Sequence, residues 1–498
     1  MKTDFHLSTT IDTNKVFLIH RSELEGRLDP FYSKPAFMEL EAKVKQRSNK
    51  KLRDFIKRMA GGATPTITER DKYYAEGTDG IPFIRVQNLT TSSNLNLADI
   101  KFINLETHNG MLRRSQVTSG DLLVKITGVG RMATSSVTPD NFTGNINQHI
   151  VVVKTGDKHT SEVLAAYLNS DIGERLASRR STGGTRPALD YPALRSIPVI
   201  YNPKIVQIAN IAYKLKAQKE AEAQKLLDSI DDYLLSELGI RLPEDDFSSL
   251  EARMFYRKSR QIQGRRFDPK RYDAKSQALV DAVNSARYSV TPLKALIMHC
   301  VAGDWGYDEN DIYIDSNKFE RCLVIRGTEF YNRYNLRIEN SRTKHRLIYK
   351  QRLKQLDIQP NDILIEKSGG SDYQPVGRVA LLEKHLVENY KLCFSNFMLK
   401  IRVDDNKTAS QYVFNFLKTM YNIKITDVMQ SQTHGIRNLI LLEYFMQSIV
   451  LPPIPKQYDI VENIAEIRGR AAKLEKEAIE EVNKAKKEIE KVLIGELQ

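Results

Sequence analysis

The chain is 498 residues long, 41% hydrophobic and 28% charged, the composition of a globular protein with room for roughly two to four domains. Its most apolar stretch, Leu439 to Pro455, is broken by Glu443, Gln447 and three prolines and is too short to span a bilayer. Cys300, Cys322 and Cys393 show no CxxC spacing, so they suggest neither a zinc site nor a disulfide framework and fit a reducing cytoplasm best, whereas a net charge of +13 and a pI near 9.3 point to a polyanionic partner.

An amphipathic region, Phe37 to Met59, carries Leu40, Val44, Leu52, Phe55 and Ile56. Gly61-Gly62-Ala63-Thr64-Pro65 then permits a tight loop but no phosphate cradle, since no Lys-Ser/Thr follows. Short β-branched runs come next, at Ile81 to Leu89, Leu122 to Ile126, Ser135 to Thr138 and Ile150 to Lys154, separated by turn-forming residues. A helical segment, Ser161 to Ser178, precedes the polar loop Arg179-Arg180-Ser181-Thr182-Gly183-Gly184-Thr185-Arg186. After Ser196-Ile197-Pro198-Val199, the spacing predicts a long helix over Pro203 to Leu238 with Ile205, Ile208, Ala212, Leu215, Leu226, Ile230, Tyr233 and Leu234 as its apolar stripe, ending at Gly239.

A basic link follows, in which Arg253, Arg257, Lys258, Arg260, Arg265, Arg266, Lys270 and Arg271 fall within 19 residues against Asp268 alone. It reads either as a solvated linker or as a phosphate contact. The second half places strands near Leu323 to Arg326, Ile363 to Glu366, Val376 to Leu382 and Phe397 to Val403, and Gln430 to Arg437 answers the earlier polar loop. After Ser448-Ile449-Val450-Leu451-Pro452-Pro453, apolar residues from Ile460 to Val492 step by fours and threes, a coiled-coil seam with one stutter. A narrow apolar stripe needs a partner, and the central helix offers one.

The halves match at a slowly growing offset. Arg27-Leu28-Asp29-Pro30 recurs as Arg266-Phe267-Asp268-Pro269, 239 residues on. Ile84-Arg85 recurs as Ile325-Arg326, and Gly120-Asp121-Leu122-Leu123 as Asn361-Asp362-Ile363-Leu364, both at 241. Val129-Gly130-Arg131 recurs as Val376-Gly377-Arg378 at 247, and Ser196-Ile197 as Ser448-Ile449 at 252. A period this long means paired domains rather than a solenoid. The expected fold class is α+β, duplicated in the order globular domain, helix, globular domain, helix.

Enzyme chemistry is not legible. Asp29-Pro30-Phe31-Tyr32 approaches an adenine-methyltransferase motif but lacks a Gly-rich cofactor loop, and its copy Asp268-Pro269-Lys270-Arg271 loses the aromatic, so it reads as a turn. Asp362, Glu366 and Lys367 lack the Glu-x-Lys spacing of a nuclease, and the nine histidines form no HExxH. No catalytic residue and no metal ligand is assigned.

Gly61-Gly62-x-Thr-Pro65, Gly80-Ile-Pro-Phe-Ile-Arg-Val-Gln-Asn-Leu89, Gly120-Asp-Leu-Leu123, Gly128-x-Gly-Arg131, Asn147-Gln-His149 and Ser196-Ile-Pro198 before a long helix together resemble the specificity subunit of type I restriction-modification systems. The resemblance covers essentially the whole chain through order, spacing and duplication rather than through one motif. It implies a first target-recognition domain at 1–200, a long helix at 201–240, a basic linker at 241–265, a second target-recognition domain at 266–453 and a second long helix at 454–498, the helices forming an antiparallel coiled coil. Each domain is then expected to read one half of a split double-stranded DNA site, while the helices set the spacing and dock two methyltransferase subunits. Restriction or translocase subunits are further implied partners. No cofactor is expected in this chain, S-adenosylmethionine belonging to the partner methyltransferase, and a cytoplasmic protein without a membrane partner is expected. The alternatives are a recognition subunit of another modification or phage-defence system, a coiled-coil scaffold without nucleic acid, and a DNA nuclease. The second half departs from the pattern, with Val301-Ala302-Gly303-Asp304-Trp305 for Gly-Gly-x-Thr-Pro and Phe394-Ser395-Asn396 for Asn-Gln-His.

Arginine can span guanine O6 and N7, and Asn or Gln adenine N6 and N7, while Lys, Ser and Thr more often hold phosphates. By strand-end and loop position the DNA-binding candidates are Arg85, Gln87, Lys125, Arg131, Arg179, Arg180 and Arg186 in the first half. In the second half they are Lys367, Ser368, Tyr373, Arg378, Gln432, His434 and Arg437. Asn147-Gln148-His149, beside the apolar Ile150-Val151-Val152, reads equally as a buried or turn-stabilising polar cluster and as a DNA contact.

Overall fold

The computed structural model describes residues 11–12, 15–77, 79–244, 247, 249–258, 262, 268–310, 317–330, 334–338, 342–371, 374–433 and 435–495. It divides into two units, Met1–Ala221 with Leu474–Gln498, and Glu222–Lys473.

In the first unit the amphipathic region becomes helix α1 (Pro35–Arg47) and strand β1 (Arg58–Gly61). Seven short strands follow: β2 (Ile81–Ile84), β3 (Lys101–Ile103), β4 (Gln116–Thr118), β5 (Leu122–Lys125), β6 (Ser135–Val137), β7 (Thr143–Ile146) and β8 (Ile150–Lys154). They form two sheets, ordered β1-β8-β5-β6 and β3-β2-β7-β4. The predicted helical segment is two helices, α2 (Lys158–Asn169) and α3 (Asp171–Arg180), because Ser170 ends one and caps the next by accepting a hydrogen bond from the Gly173 N–H at 3.1 Å.

Strand β8 reads Ile-Val-Val-Val without alternation because its sheet is covered on both faces. Leu122, Val124, Val151 and Val153 pack against Leu164, Tyr167, Leu168 and Leu176 of the helices. On the other face Leu123, Ile150 and Val152 pack against Ile84, Val117 and Ile146 of the second sheet. Each such side chain taken fully out of water contributes about 1.5–3 kcal/mol, so this double layer is the rigid platform from which the loops project.

The long helix α4 (Lys204–Leu238) stops at Gly239, whose φ of +68° only glycine adopts freely. The buried stripe includes Ile205, Ala212, Ala223, Leu227, Ile230, Leu234 and Leu238. Leu227 takes the place expected for Leu226, and Leu215 is 37% exposed.

The second unit opens with α5 (Ala274–Asn284) and strands β9 (Val290–Pro292), β10 (Ile297–Ala302), β11 (Phe319–Ile325), β12 (His345–Tyr349), β13 (Ile363–Glu366) and β14 (Ser368–Gly370). It continues with β15 (Val379–Leu381), β16 (Leu392–Phe394), β17 (Met398–Val403), helix α6 (Ser410–Asn422), β18 (Gln430–Thr433), β19 (Ile436–Leu439) and β20 (Ser448–Val450). The sheets run β10-β17-β13-β15, β12-β11-β16, β14-β19-β18 and β20-β9. The last helix, α7 (Ile454–Ile494), starts six residues before Ile460, and its buried residues Ile464, Ala471, Ala478 and Ala485 keep the heptad step.

The two units share one framework. Order β10-β17-β13-β15 repeats β1-β8-β5-β6, and the parallel pair β11/β16 repeats the parallel pair β2/β7. Strand pairing also corrects the sequence matching. Leu122 pairs with Val137 as Ile363 pairs with Leu381, so the hairpin beyond β5 is offset by 244, and Val376-Gly377-Arg378 answers Met132-Ala133-Thr134 rather than Val129-Gly130-Arg131. Ala133 and Gly377 accordingly both have positive φ, +52° and +103°. Lys51 faces Pro198 as Pro292 faces Ser448, an offset of 250 where Ser-Ile matching gives 252.

Each unit includes part of both long helices. In the first, Ile205 shares a core with Ile489 and Leu493, and farther along α4 Lys219 Nζ meets Glu477 at 2.6 Å, so rising numbers on one helix meet falling numbers on the other. In the second, Lys456 Nζ meets Glu237 at 2.5 Å. Among the described residues no helix is long and apolar enough to cross a membrane.

Of the basic link, Arg260, Arg265 and Arg266 lie outside the described residues, as does Phe267 of the Arg-Phe-Asp-Pro repeat. Arg271 pairs with Glu443 and Lys270 lies 3.8 Å from Asp427. The Asp-Pro repeats are turns, Asp29 Oδ1 accepting from the Tyr32 N–H at 2.9 Å and Asp268 Oδ1 from the Lys270 N–H at 3.1 Å.

Candidate nucleic-acid interface

In the first unit four loops meet at one end of the β1-β8-β5-β6 sheet. Residues 147–149 turn the chain from β7 into β8, with the Asn147 N–H donating to Ile84 O at 3.0 Å and the Ile150 N–H to Asn147 O at 3.1 Å. The Gly62 N–H reaches Ile150 O at 3.2 Å, the Ile126 N–H reaches His149 O at 2.9 Å, and the Leu189 N–H reaches Ile126 O at 2.8 Å. Gly62 has to be glycine, because a Cβ there would stand 2.1 Å from Ile146 O and 2.3 Å from Asn147 O. At the apex Gln148 is exposed and His149 half-buried, while Asn147 is buried with its Oδ1 accepting from the His149 N–H at 3.2 Å. Asn147 therefore stabilises the turn, and Gln148 beside it faces solvent.

The second unit repeats this arrangement bond for bond. The Ser395 N–H donates to Ile325 O at 2.8 Å, the Met398 N–H to Ser395 O at 2.9 Å and the Gly303 N–H to Met398 O at 3.1 Å. The Lys367 N–H donates to Phe397 O at 2.9 Å and the Leu439 N–H to Lys367 O at 2.8 Å. A Cβ at Gly303 would stand 2.1 Å from Phe394 O and 2.3 Å from Ser395 O. The second glycine of the first-half motif is thus kept, and Asn147-Gln148-His149 corresponds to Ser395-Asn396-Phe397, one residue beyond the triplet matched by sequence. Asn396 and Trp305 line two adjoining open clefts of about 820 and 790 Å³, the first also walled by Tyr307, Phe319 and Tyr349. Arg346 stacks over the Trp305 ring at 4.9 Å.

The sequence-selected residues divide by environment. Arg179 and Arg180 are 3% and 5% exposed and both bind Glu41, the Arg180 Nη2 lying 2.8 Å from each carboxylate oxygen. Burial pushes the Glu41 carboxyl up, but the charges of Arg180 and Arg179 outweigh it and hold the group below its usual range. These two arginines cannot reach DNA without unmaking that core. Lys125 is also buried, its Nζ donating to Val129 O at 2.8 Å and Arg131 O at 3.0 Å, and burial lowers its pKa. It therefore braces the 129–131 loop. Arg131 closes the end of α2, donating to Asn169 O at 2.5 Å and Ser170 O at 2.7 Å and pairing with Asp171 at 3.0 Å. Arg378 is buried against Glu366.

The remaining candidates are at the surface or partly so. Arg85 Nη2 and Gln87 Nε2 each lie 2.8 Å from Asp99, on its backbone O and its Oδ2 respectively. Arg186 is exposed near His149, whose pKa is lowered by burial first and by the Arg186 charge second. Lys367 is half-buried beneath the Ser395–Phe397 turn, and Ser368 Oγ donates to Asn438 Oδ1 at 2.7 Å. Gln432 is exposed and Arg437 half-buried on the β18/β19 hairpin. Tyr373 and His434 lie outside the described residues. Sequence reasoning missed Asn396 and Trp305, since only strand pairing reveals which residues of the second half occupy the apex and its flank.

Residues 320–484 match the family described as the type I restriction modification DNA specificity domain. A search of the curated proteins found no match. Among solved structures, the chain is similar to one from a study of complex assembly and conformational transition of the type I R-M system, at 15% identity over 88% of this chain and 96% of that one, with a TM-score of 0.43. It is similar to the type I restriction-modification S subunit from M. genitalium at 13% identity over 90% of this chain and 94% of that one, TM-score 0.36. The HsdS subunit from Thermoanaerobacter tengcongensis matches at 13% identity over 88% and 95%, TM-score 0.30. The first unit repeats the strand framework of the stretch that the family model matches.

Proposed function

We propose that the two units are independent readers, each recognising one half of a split double-stranded DNA site for methyltransferase subunits that bind this chain. The single observation that carries the reading is the repeated loop cage, the same five backbone hydrogen bonds presenting different side chains, Gln148 and His149 in one unit and Asn396 and Phe397 in the other. A common scaffold with different tips is what two readers of different sequences need, because backbone fixes position and side chains select bases. The net charge of +13 supplies attraction to phosphates. Arg186, Gln432, Arg437, Lys367, Arg85 and Gln87 remain the contacts proposed from the original selection.

In this reading residues 1–200 and 266–453 are the readers, 201–240 and 454–498 the helices that set the gap between half-sites and dock two methyltransferase subunits, and 241–265 a link. S-adenosylmethionine is bound by the partner. Methylome sequencing of a host with and without this chain tests it. A split methylated sequence that appears only with the chain supports the proposal; methyl transfer by the purified chain alone, or a methylome that does not change, overturns it.

A further inference from the structure

We propose that Gln148 and Asn396 are a matched pair of base readers, each placing its side-chain amide against an adenine in the major groove of its own half-site. The inference rests on the DNA-recognition reading above and adds the residues and the base class. Both amides sit at the apex of the corresponding turn, both are exposed, and neither side chain is hydrogen-bonded to another described residue. Neighbouring amides are already committed, Asn147 to the His149 N–H and Asn438 to Ser368. A carboxamide carries one donor and one acceptor side by side, which complements adenine N7 and N6–H₂, and Asn or Gln is the side chain that makes this two-point contact.

Position supports the assignment as strongly as chemistry. The turn under each amide is held by four backbone hydrogen bonds, a fifth ties the segment beneath it to the next loop, and Gly62 or Gly303 lies directly behind it with no room for a side chain. A reader mounted on such a turn loses little freedom on binding, so its discrimination is not spent on ordering the loop. The flanks differ. Gln148 has His149 and the exposed Arg186 nearby, while Asn396 has the half-exposed Phe397 and Trp305, 49% and 36% exposed. The two units thus share an adenine contact and differ in the bases beside it, with glutamine reaching one methylene farther than asparagine.

The experiment uses the full chain assembled with its methyltransferase subunits. DNA binding and methylation are measured on the recognised duplex and on duplexes substituted one base pair at a time. For wild type, one A·T pair in each half-site should be indispensable. Gln148→Ala should lose roughly 5- to 150-fold discrimination at that pair in one half-site and leave the other untouched, the range given by a good bidentate contact. Asn396→Ala should do the same in the other half. Gln148→Glu and Asn396→Asp keep shape and remove the donor, and should favour cytosine, whose N4 amine donates. Uniform weakening on all duplexes, with discrimination between bases intact, would make these residues phosphate contacts and overturn the inference. Unchanged selectivity in the near-isosteric variants would overturn it as well. A wild-type complex with no sequence preference would instead refute the DNA-recognition reading on which it rests.

Discussion

Glu366 and Arg378 meet side-on inside the second unit, with Nε 2.7 Å from Oε2 and Nη2 2.8 Å from Oε1, and are 3% and 9% exposed. Backbone pairing puts Lys125 and Thr134 in the corresponding places of the first unit, the Lys125 N–H donating to Thr134 O as the Glu366 N–H donates to Arg378 O. The first unit therefore holds its loop with an ammonium on carbonyls, the second with a buried ion pair. Arg378→Met, which strands the carboxylate, should cost the second unit about 3–5 kcal/mol, and adding Glu366→Leu should recover most of it. Trp305, the only tryptophan, lies in this unit, so its fluorescence during denaturation reports the loss.

Glu41 sets the acid stability of the first unit. Its folded pKa is held below the ordinary value of 4.5, so the folded state binds fewer protons there than the unfolded chain, and the stabilisation present above about pH 4.5 is lost as pH falls through the folded pKa. Glu41→Gln should weaken the first unit at pH 7 and flatten its acid limb. Hydrogen exchange of helix α3 against pH measures both.

Lys418 acts in the opposite sense in the second unit. Burial lowers it to about 8, against partial support from Asp231 and with Arg378 and Arg468 opposing its charge, and its Nζ stacks on Tyr334 at 4.8 Å. Between about pH 8 and its ordinary 10.5 the unfolded chain binds the extra proton, so this residue's contribution to stability rises with pH across that window. Lys418→Met should raise the melting temperature near neutral pH and remove the alkaline rise, as seen by calorimetry.

Gly62→Ala and Gly303→Ala test the cage. Each added Cβ meets backbone carbonyls that cannot swing away, so a cost of about 1–3 kcal/mol and displacement of the apex amide are expected. Methylation should lose preference in one half-site per variant. Equal damage to both half-sites from either variant, with folding intact, would contradict independent readers.

Helix length provides the fifth test. A heptad inserted near Ala221, with a matching heptad in α7 to keep the antiparallel seam, adds roughly 10 Å. The unread gap should grow by roughly three base pairs with both half-sites unchanged, since a DNA turn of about 34 Å holds about ten. The same gap in a folded, active variant would remove the helices from the role of spacer.

Much of this architecture is local chemistry and could be read directly. Apolar periodicity and Gly239 delimit α4 to within a residue, and Ile150–Lys154 and Ile363–Glu366 are strands as their β-branched runs require. The duplication was also legible, because separate matches at a slowly growing offset do not arise from composition. What the chain alone could not show was pairing across long separations. Arg179 and Arg180 look like loop cations in a polar run, yet Glu41 lies 138 and 139 residues away and draws both into the core, since a buried carboxylate must be compensated. Offsets of 244 and 250 in place of 247 and 252 follow from strand register, which is set by which faces are buried rather than by matching dipeptides. The correspondence of Asn396 with Gln148 emerges only from that register: backbone hydrogen bonds carry no residue identity, so a shared scaffold leaves no mark on the side chains it presents.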